Sequence, residues 1–275
     1  HPVLKDGDLV VAISQSGETA DTLAAIRLAK TRGIPVLSIV NVLGSSAARE
    51  SDIMLYTAAG PEIAVATTKA FSAQLAIVYL LCLQLALVKG RISEMQLINY
   101  IKEFKKLPEY VDSILLRARD CEEIAKEVKN YENIFFIGRG LDYSMALEGS
   151  LKLKEISYIH SEAFSAGELK HGPISLISET TPTVAIATQK HLIEKMHNNI
   201  SEVRSRKGRV WTLCRKSDAE LFKSNSEVIP LGDVDDIFMP SLAVLPLQLI
   251  AYYASVQKGC DVDKPRNLAK SVTVE

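Results

Sequence analysis

The sequence predicts an α/β fold built from two doubly wound parallel-sheet halves, the first lacking its N-terminal strand and helix. Three observations predict it. Short β-branched runs alternate with helical stretches, the pattern of a parallel sheet. The order strand, helix, strand, strand, long apolar helix occurs twice, which marks an internal duplication. The second copy opens with a strand and a helix for which the first has no equivalent.

Each element follows from its own residues. Leu9 to Ser14 (LVVAIS) reads as a strand, Glu18 to Thr31 as a helix, and Val36 to Val42 and Ile53 to Thr57 as strands. Ile63 to Leu87 reads as a long apolar helix, and Ile92 to Lys129 as a helical connector broken at Pro108. The additional strand of the second copy is Asn133 to Gly138, followed by a helix over Ser144 to Ile159. Then come a strand at Thr183 to Thr188, a helix at Leu192 to Lys207, strands at Val210 to Cys214 and Glu227 to Leu231, and a long helix at Ser241 to Lys258. The division expected is a first half over 1–90, a connector over 91–130, a second half over 131–258 and a tail over 259–275. Right-handed crossovers put the loops that follow the strands on the carboxyl edge of each sheet, where such folds bind ligands.

Composition narrows the function. The chain has 275 residues, 47% hydrophobic and 24% charged, which excludes disorder for its bulk. Thirty-two basic and 33 acidic residues leave a net charge of −1, so no global field draws in nucleic acid or an anionic membrane. Phe71 to Val88 is nearly continuous apolar sequence, but Gln74 and Gln84 interrupt it and no basic flank orients it, so a buried core helix is expected. Cys82, Cys121, Cys214 and Cys260 are too scattered for a zinc or thioredoxin-like motif, and read as reduced cytosolic thiols. No H-E-x-x-H spacing occurs, and His191 and His197 fall on different helix faces, so neither a metal nor a cofactor is expected. No signal peptide is recognised, which points to the cytoplasm. The first residue is His1 rather than Met, so a piece of a longer protein is expected.

Ser14-Gln15-Ser16-Gly17-Glu18-Thr19 follows a strand and opens a helix. Hydroxyls, a permissive glycine and free helix N–H groups form a cradle for phosphate. An ordinary capped helix after a turn has the same ingredients. A G-x-x-x-x-G-K-[ST] loop is missing, so a nucleoside triphosphate with magnesium is not indicated. Glu148, Lys152 and Glu155 are spaced i, i+4, i+7 and share one helix face. They are either a solvated salt-bridge row or, if partly buried beside Leu147, Leu151 and Ile156, a site with a glutamate tuned for general-base work. His171 precedes a Gly-Pro turn, and Lys270 lies near the chain end between uncharged flanks.

Several segments carry a resemblance. S-Q-S-G-E-T-A-D-T-L at Ser14 to Leu23 resembles the first sugar-phosphate loop of the sugar isomerase (SIS) fold, a flavodoxin-like doubly wound sheet. N-V-x-G-S-S from Asn41, A-G-P-E-I-A-V-A-T-T-K-A-F from Ala59, A-L-E-G-S-L-K-L-K-E-I-S-Y-I-H from Ala146, A-G-E-L-K-H-G-P from Ala166 and K-P-R-N-L-A-K-S-V-T-V-E from Lys264 resemble the glutamine–fructose-6-phosphate aminotransferases, or glucosamine-6-phosphate synthases. The resemblance covers essentially the whole chain, with Thr67 where many relatives have serine.

The resemblance implies roles. Ser14, Gln15, Ser16 and Thr19 would bind the sugar phosphate, with Val65 making a backbone contact to the sugar. Lys270, in the tail, would form a Schiff base with the sugar carbonyl. Glu155 would move a proton between C1 and C2, assisted by Lys152 and supported by Glu148. His171 would open the hexose ring from the neighbouring subunit of a homodimer. The full enzyme would make glucosamine 6-phosphate from fructose 6-phosphate, using ammonia from an N-terminal glutaminase domain. This chain would then lack glutamine hydrolysis and retain at most isomerase or weak ammonia-dependent activity. Two other readings stand beside it: a phosphosugar-sensing binding module, which the Glu155, His171 and Lys270 set disfavours, and an SIS-fold deaminase or isomerase.

Overall fold

Parallel strands separated by helices emerge from the alternation read above. A computed structural model describes residues 2–270 and divides them into two units. One runs to Ile92 and takes in the tail from Arg266; the other is Ser93–Pro265.

The first unit contains β1 (Val10–Ser14), α1 (Ala20–Thr31), β2 (Val36–Val40), α2 (Ser46–Glu50), β3 (Ile53–Tyr56) and α3 (Lys69–Val88). Its three strands are parallel, in the order β1-β2-β3. The central strand β2 is buried along its whole length. Leu23, Ile26 and Ala29 recur at helical spacing on α1 and pack over Ile34, Val36 and Val40, with Ala47 and Ala48 of α2. α3 begins where Glu62 takes over the cap: its carboxylate accepts from the amides of Thr68 (3.4 Å) and Ala70 (3.0 Å), a negative charge at the positive end of the helix.

The second unit begins with α4 (Glu94–Phe104), α5 (Leu107–Leu115) and α6 (Ala118–Val128). The connector breaks just ahead of Pro108, as read: α4 ends at Phe104 and Pro108 sits in the first turn of α5, where its missing N–H costs nothing. There follow β4 (Asn133–Gly138), α7 (Leu141–Ser157), β5 (His160–Ser165), β6 (Thr183–Ala187), α8 (Ile193–Arg204), β7 (Val210–Arg215), α9 (Ala219–Lys223), β8 (Glu227–Leu231) and α10 (Met239–Gln257). All five strands are parallel, in the order β5-β4-β6-β7-β8. α10 lies against α7 and α6, which accounts for its apolar sequence. β5 escapes a reading of hydrophobic runs because its sequence, HSEAFS, is mostly polar.

The duplication is visible in the registers. Val10 to Ser14 of β1 pair with Val36 to Val40 of β2; Thr183 to Ala187 of β6 pair with Val210 to Cys214 of β7. The sequences VVAIS and TVAIA thus occupy the same place, and Asn41 after β2 corresponds to Arg215 at the end of β7. Even the buried hydroxyls of Ser38 and Thr212 match, each without a hydrogen-bond partner. Among the described residues the first unit has no counterpart of β4, α7 and β5. Its helix α3, the counterpart of α10, accordingly buries only Ala70, Tyr79 and Leu83. By length and composition, α3 and the stretch Asp236–Gln257 are each long and apolar enough to cross a membrane.

Candidate active site

The serine loop is shaped by its own backbone. β1 ends at the buried Ser14, whose Oγ accepts from the Gly17 amide at 3.0 Å. The Ser16 hydroxyl accepts from the Glu18 amide at 3.1 Å. Gly17 has φ of +69°, and a Cβ there would stand 2.2 Å from Ser45 Oγ, so both conformation and space require glycine. Glu18 accepts from the Ser46 amide at 2.8 Å, and that bond holds its carboxyl below the usual range. Thr19 is the residue before α1, yet its hydroxyl makes no capping bond. Two buried polar atoms beside this turn, Gln15 Oε1 and Ser45 Oγ, have no hydrogen-bond partner.

Asn41 fastens the loop to its neighbour. Its amide donates to Gln15 O at 3.3 Å, its Nδ2 donates to Gly60 O at 2.7 Å, and its Oδ1 accepts from Thr57 and Ala59. The segment so held runs on to Ala64, whose carbonyl accepts from Lys270 Nζ at 2.5 Å. The tail lysine therefore docks one residue from the half-buried Val65, within the unit that carries the serine loop.

On α7 the charged stripe is buried rather than solvated. The Lys152 side chain is 6% exposed, that of Glu148 11% and that of Glu155 21%. Lys152 Nζ lies 2.7 Å from Glu155 Oε2 and 3.5 Å from Glu148 Oε1. Lys152 thus forms a close ion pair with Glu155 and a looser one with Glu148. Burial pushes the Glu148 carboxyl up; Lys152 opposes the shift and Glu155 adds to it. Ile156 is buried, as its neighbourhood suggested, but Leu147 and Leu151 are exposed. Beside this stripe the helix packs closely at Gly149, where a Cβ would meet Leu247 at 3.0 Å and Phe136 at 3.1 Å.

His171 closes a short 3-10 turn, Leu169–His171, and is exposed. Gly172 follows with φ of +147°, a conformation that admits glycine only. Among the described residues no group of three or more His, Cys, Asp and Glu could hold a metal. A cavity of about 370 Å³ beside β8, lined in part by Tyr110, Arg117, Lys216 and Asp233, contains none of these site residues. Sequence reasoning passed over Asn41, Ser45 and Glu62. Asn41 and Ser45 lay within the quoted N-V-x-G-S-S motif, and an asparagine directly after a buried strand was the available signal.

The SIS domain family matches residues 1–84 and 127–258. The chain belongs to this family. Its whole length is 53% identical to the glutamine–fructose-6-phosphate aminotransferase of Caldanaerobacter subterraneus subsp. tengcongensis, and 50% identical to that of Clostridium tetani. In each case it covers 45% of the relative, so this SIS chain spans about half the length of the curated proteins it matches. The C-terminal domain of glucosamine-fructose-6-phosphate aminotransferase from Francisella tularensis superposes with a TM-score of 0.93 at 41% identity, over 96% of this chain and 74% of that one. The chain is accordingly a C-terminal isomerase region of the aminotransferase type, with two SIS domains. A glucosamine-6-phosphate deaminase from Thermotoga maritima shares the SIS fold at a TM-score of 0.77 and 24% identity, over 99% of this chain and 77% of that one.

Proposed function

We propose that the chain is the sugar-isomerising part of a glucosamine-6-phosphate synthase. The serine loop takes the phosphate of fructose 6-phosphate on Ser14, Gln15, Ser16 and Thr19. His171 moves the proton that opens the hexose ring, presented from the neighbouring subunit of a homodimer. Lys270, as the neutral amine, attacks C2 of the open ketose and water leaves, giving an imine. Ammonia from a glutaminase domain displaces the lysine, leaving the nitrogen on C2. Glu155 then removes a proton from C1 and returns one to C2, while the C1 hydroxyl becomes the aldehyde and its proton ends on the nitrogen, turning the imine into the amine. The sequence is redox-neutral and yields glucosamine 6-phosphate with Lys270 regenerated. Lys152 holds Glu155 in place, and Glu148 supports the pair.

The observation that carries this reading is the docking of Lys270 on Ala64 O, beside Val65 and in the unit of the serine loop. Lys270 is exposed, and this bond holds its amine beside the segment that follows Asn41 and Gly60. The test is Glu155→Gln in the full-length protein with fructose 6-phosphate in deuterated water. Deuterium entry at C1 should fall by at least about 100-fold, the usual contribution of a positioned general base. Undiminished exchange would remove Glu155 from the reaction.

A further inference from the structure

We infer that the second unit contains the counterpart of the serine loop in a self-occupied form, with the carboxylate of Asp142 standing where a ligand anion would stand. The inference rests on the serine loop being a phosphate cradle. Val184-Ala185-Ile186-Ala187-Thr188-Gln189 lies in the register of Val11-Ala12-Ile13-Ser14-Gln15-Ser16, and each loop leads to a helix of 12 residues. In the second unit three donors of this loop converge on Asp142. The Thr188 amide donates at 2.7 Å, its hydroxyl at 2.5 Å and the Gln189 amide at 3.3 Å. Asp142 is 1% exposed, and it reaches the loop from the first turn of α7. Gly138 makes the approach possible, since a Cβ there would lie 2.4 Å from the backbone of Asp142.

Arg215 locks the arrangement. Its counterpart Asn41 donates to Gly60 O, and Arg215 Nη1 donates to the equivalent Val234 O at 2.6 Å. The longer side chain has two further arms: Nε donates to Thr188 O at 2.6 Å, and Nη2 pairs with Asp236 Oδ1 at 2.5 Å. Asp236 in turn accepts from the Lys190 amide at 3.2 Å. The Thr188 amide and hydroxyl, the Gln189 and Lys190 amides and one arm of Arg215 are thus directed at carboxylates of the chain itself. Backbone amides and a hydroxyl aimed at one oxyanion form the hydrogen-bond set that a phosphate monoester also takes. Asp142 is thus a specificity-determining residue that restricts phosphate to the serine loop, and its removal uncovers a latent oxyanion site at Thr188 and Gln189.

The experiment titrates inorganic phosphate into the isotopically labelled protein while amide resonances are followed. In wild type the amides of the serine loop should shift and those of Thr188 and Gln189 should not. In Asp142→Gly the latter two should shift saturably. Equilibrium dialysis should then count one additional phosphate, bound at least about tenfold more tightly at that loop than in wild type. Phosphate-induced shifts at Thr188 and Gln189 in wild type would overturn the inference, and that measurement stands even if the variant does not fold. A folded Asp142→Gly that gains no phosphate would overturn it as well. A silent serine loop alongside a second site opened in the variant would sink the phosphate reading and leave Asp142 as the plug.

Discussion

Lys152 holds its ammonium 2.7 Å from Glu155 on a face of α7 from which solvent is nearly excluded. Removing one member of a buried charge cluster leaves the others uncompensated, at a cost of about 3 kcal/mol or more. Lys152→Met should therefore lower unfolding free energy in urea by about 3 kcal/mol. Adding Glu148→Gln should recover part of that loss, because one of the two stranded carboxylates is then gone. A Lys152→Met protein as stable as wild type would show that the cluster is solvated.

The raised Glu148 carboxyl gives stability a pH dependence of definite sign. Burial lifts its folded value above the ordinary 4.5, so the folded state holds this proton more tightly than the unfolded chain does. Its contribution is fully present below 4.5 and is lost as pH rises through the folded value. Glu18, Glu50 and Asp52 are shifted down and act in the opposite direction, so the comparison must be made between variants. The stability of wild type minus that of Glu148→Gln should decline as pH rises above 4.5. A difference that grows with pH would contradict the burial of this carboxyl.

Gly17→Ala combines an unfavourable φ of +69° with a methyl placed 2.2 Å from Ser45 Oγ. The left-handed conformation alone costs about 1–2 kcal/mol for a residue with a Cβ. The variant should lose at least that much stability, and its affinity for fructose 6-phosphate should fall about tenfold or more as Ser45 and the turn move apart. Gly33→Ala is the control, since its φ is also positive, at +70°, but open space surrounds it. It should lose stability and keep phosphate affinity.

The cysteines should separate cleanly by environment. Burial pushes the thiols of Cys121 and Cys214 up to about 12, whereas Cys82 is exposed. Maleimide labelling of the native chain at pH 8 with peptide mapping should modify Cys82 and spare Cys121 and Cys214 until urea is added. Early labelling of Cys214 would show that β7 is less protected than its position in the sheet requires.

Much of the fold was legible because period and composition carry it. β4 and β8 have the limits read from the sequence, since each is an apolar run bounded by turn residues. β5 was not legible, because it pairs through its backbone while its side chains are polar. Pro108 marked the break between α4 and α5, because proline is excluded from a helix interior but suits a first turn. In the site, spacing gave the Glu148, Lys152 and Glu155 face but not its burial, which depends on the packing around α7. Asp142 and Thr188 could not be paired from sequence, since 46 residues separate them and neither belongs to a chemical motif.

The central claim is that Lys270 captures the sugar carbonyl, and borohydride reduction tests it most directly. Full-length protein incubated with fructose 6-phosphate and then reduced should yield one hexitol phosphate adduct, mapped to Lys270 and lost in Lys270→Ala. Tight sugar-phosphate binding with no adduct at Lys270 would contradict the account and favour a protein that senses its ligand rather than converting it.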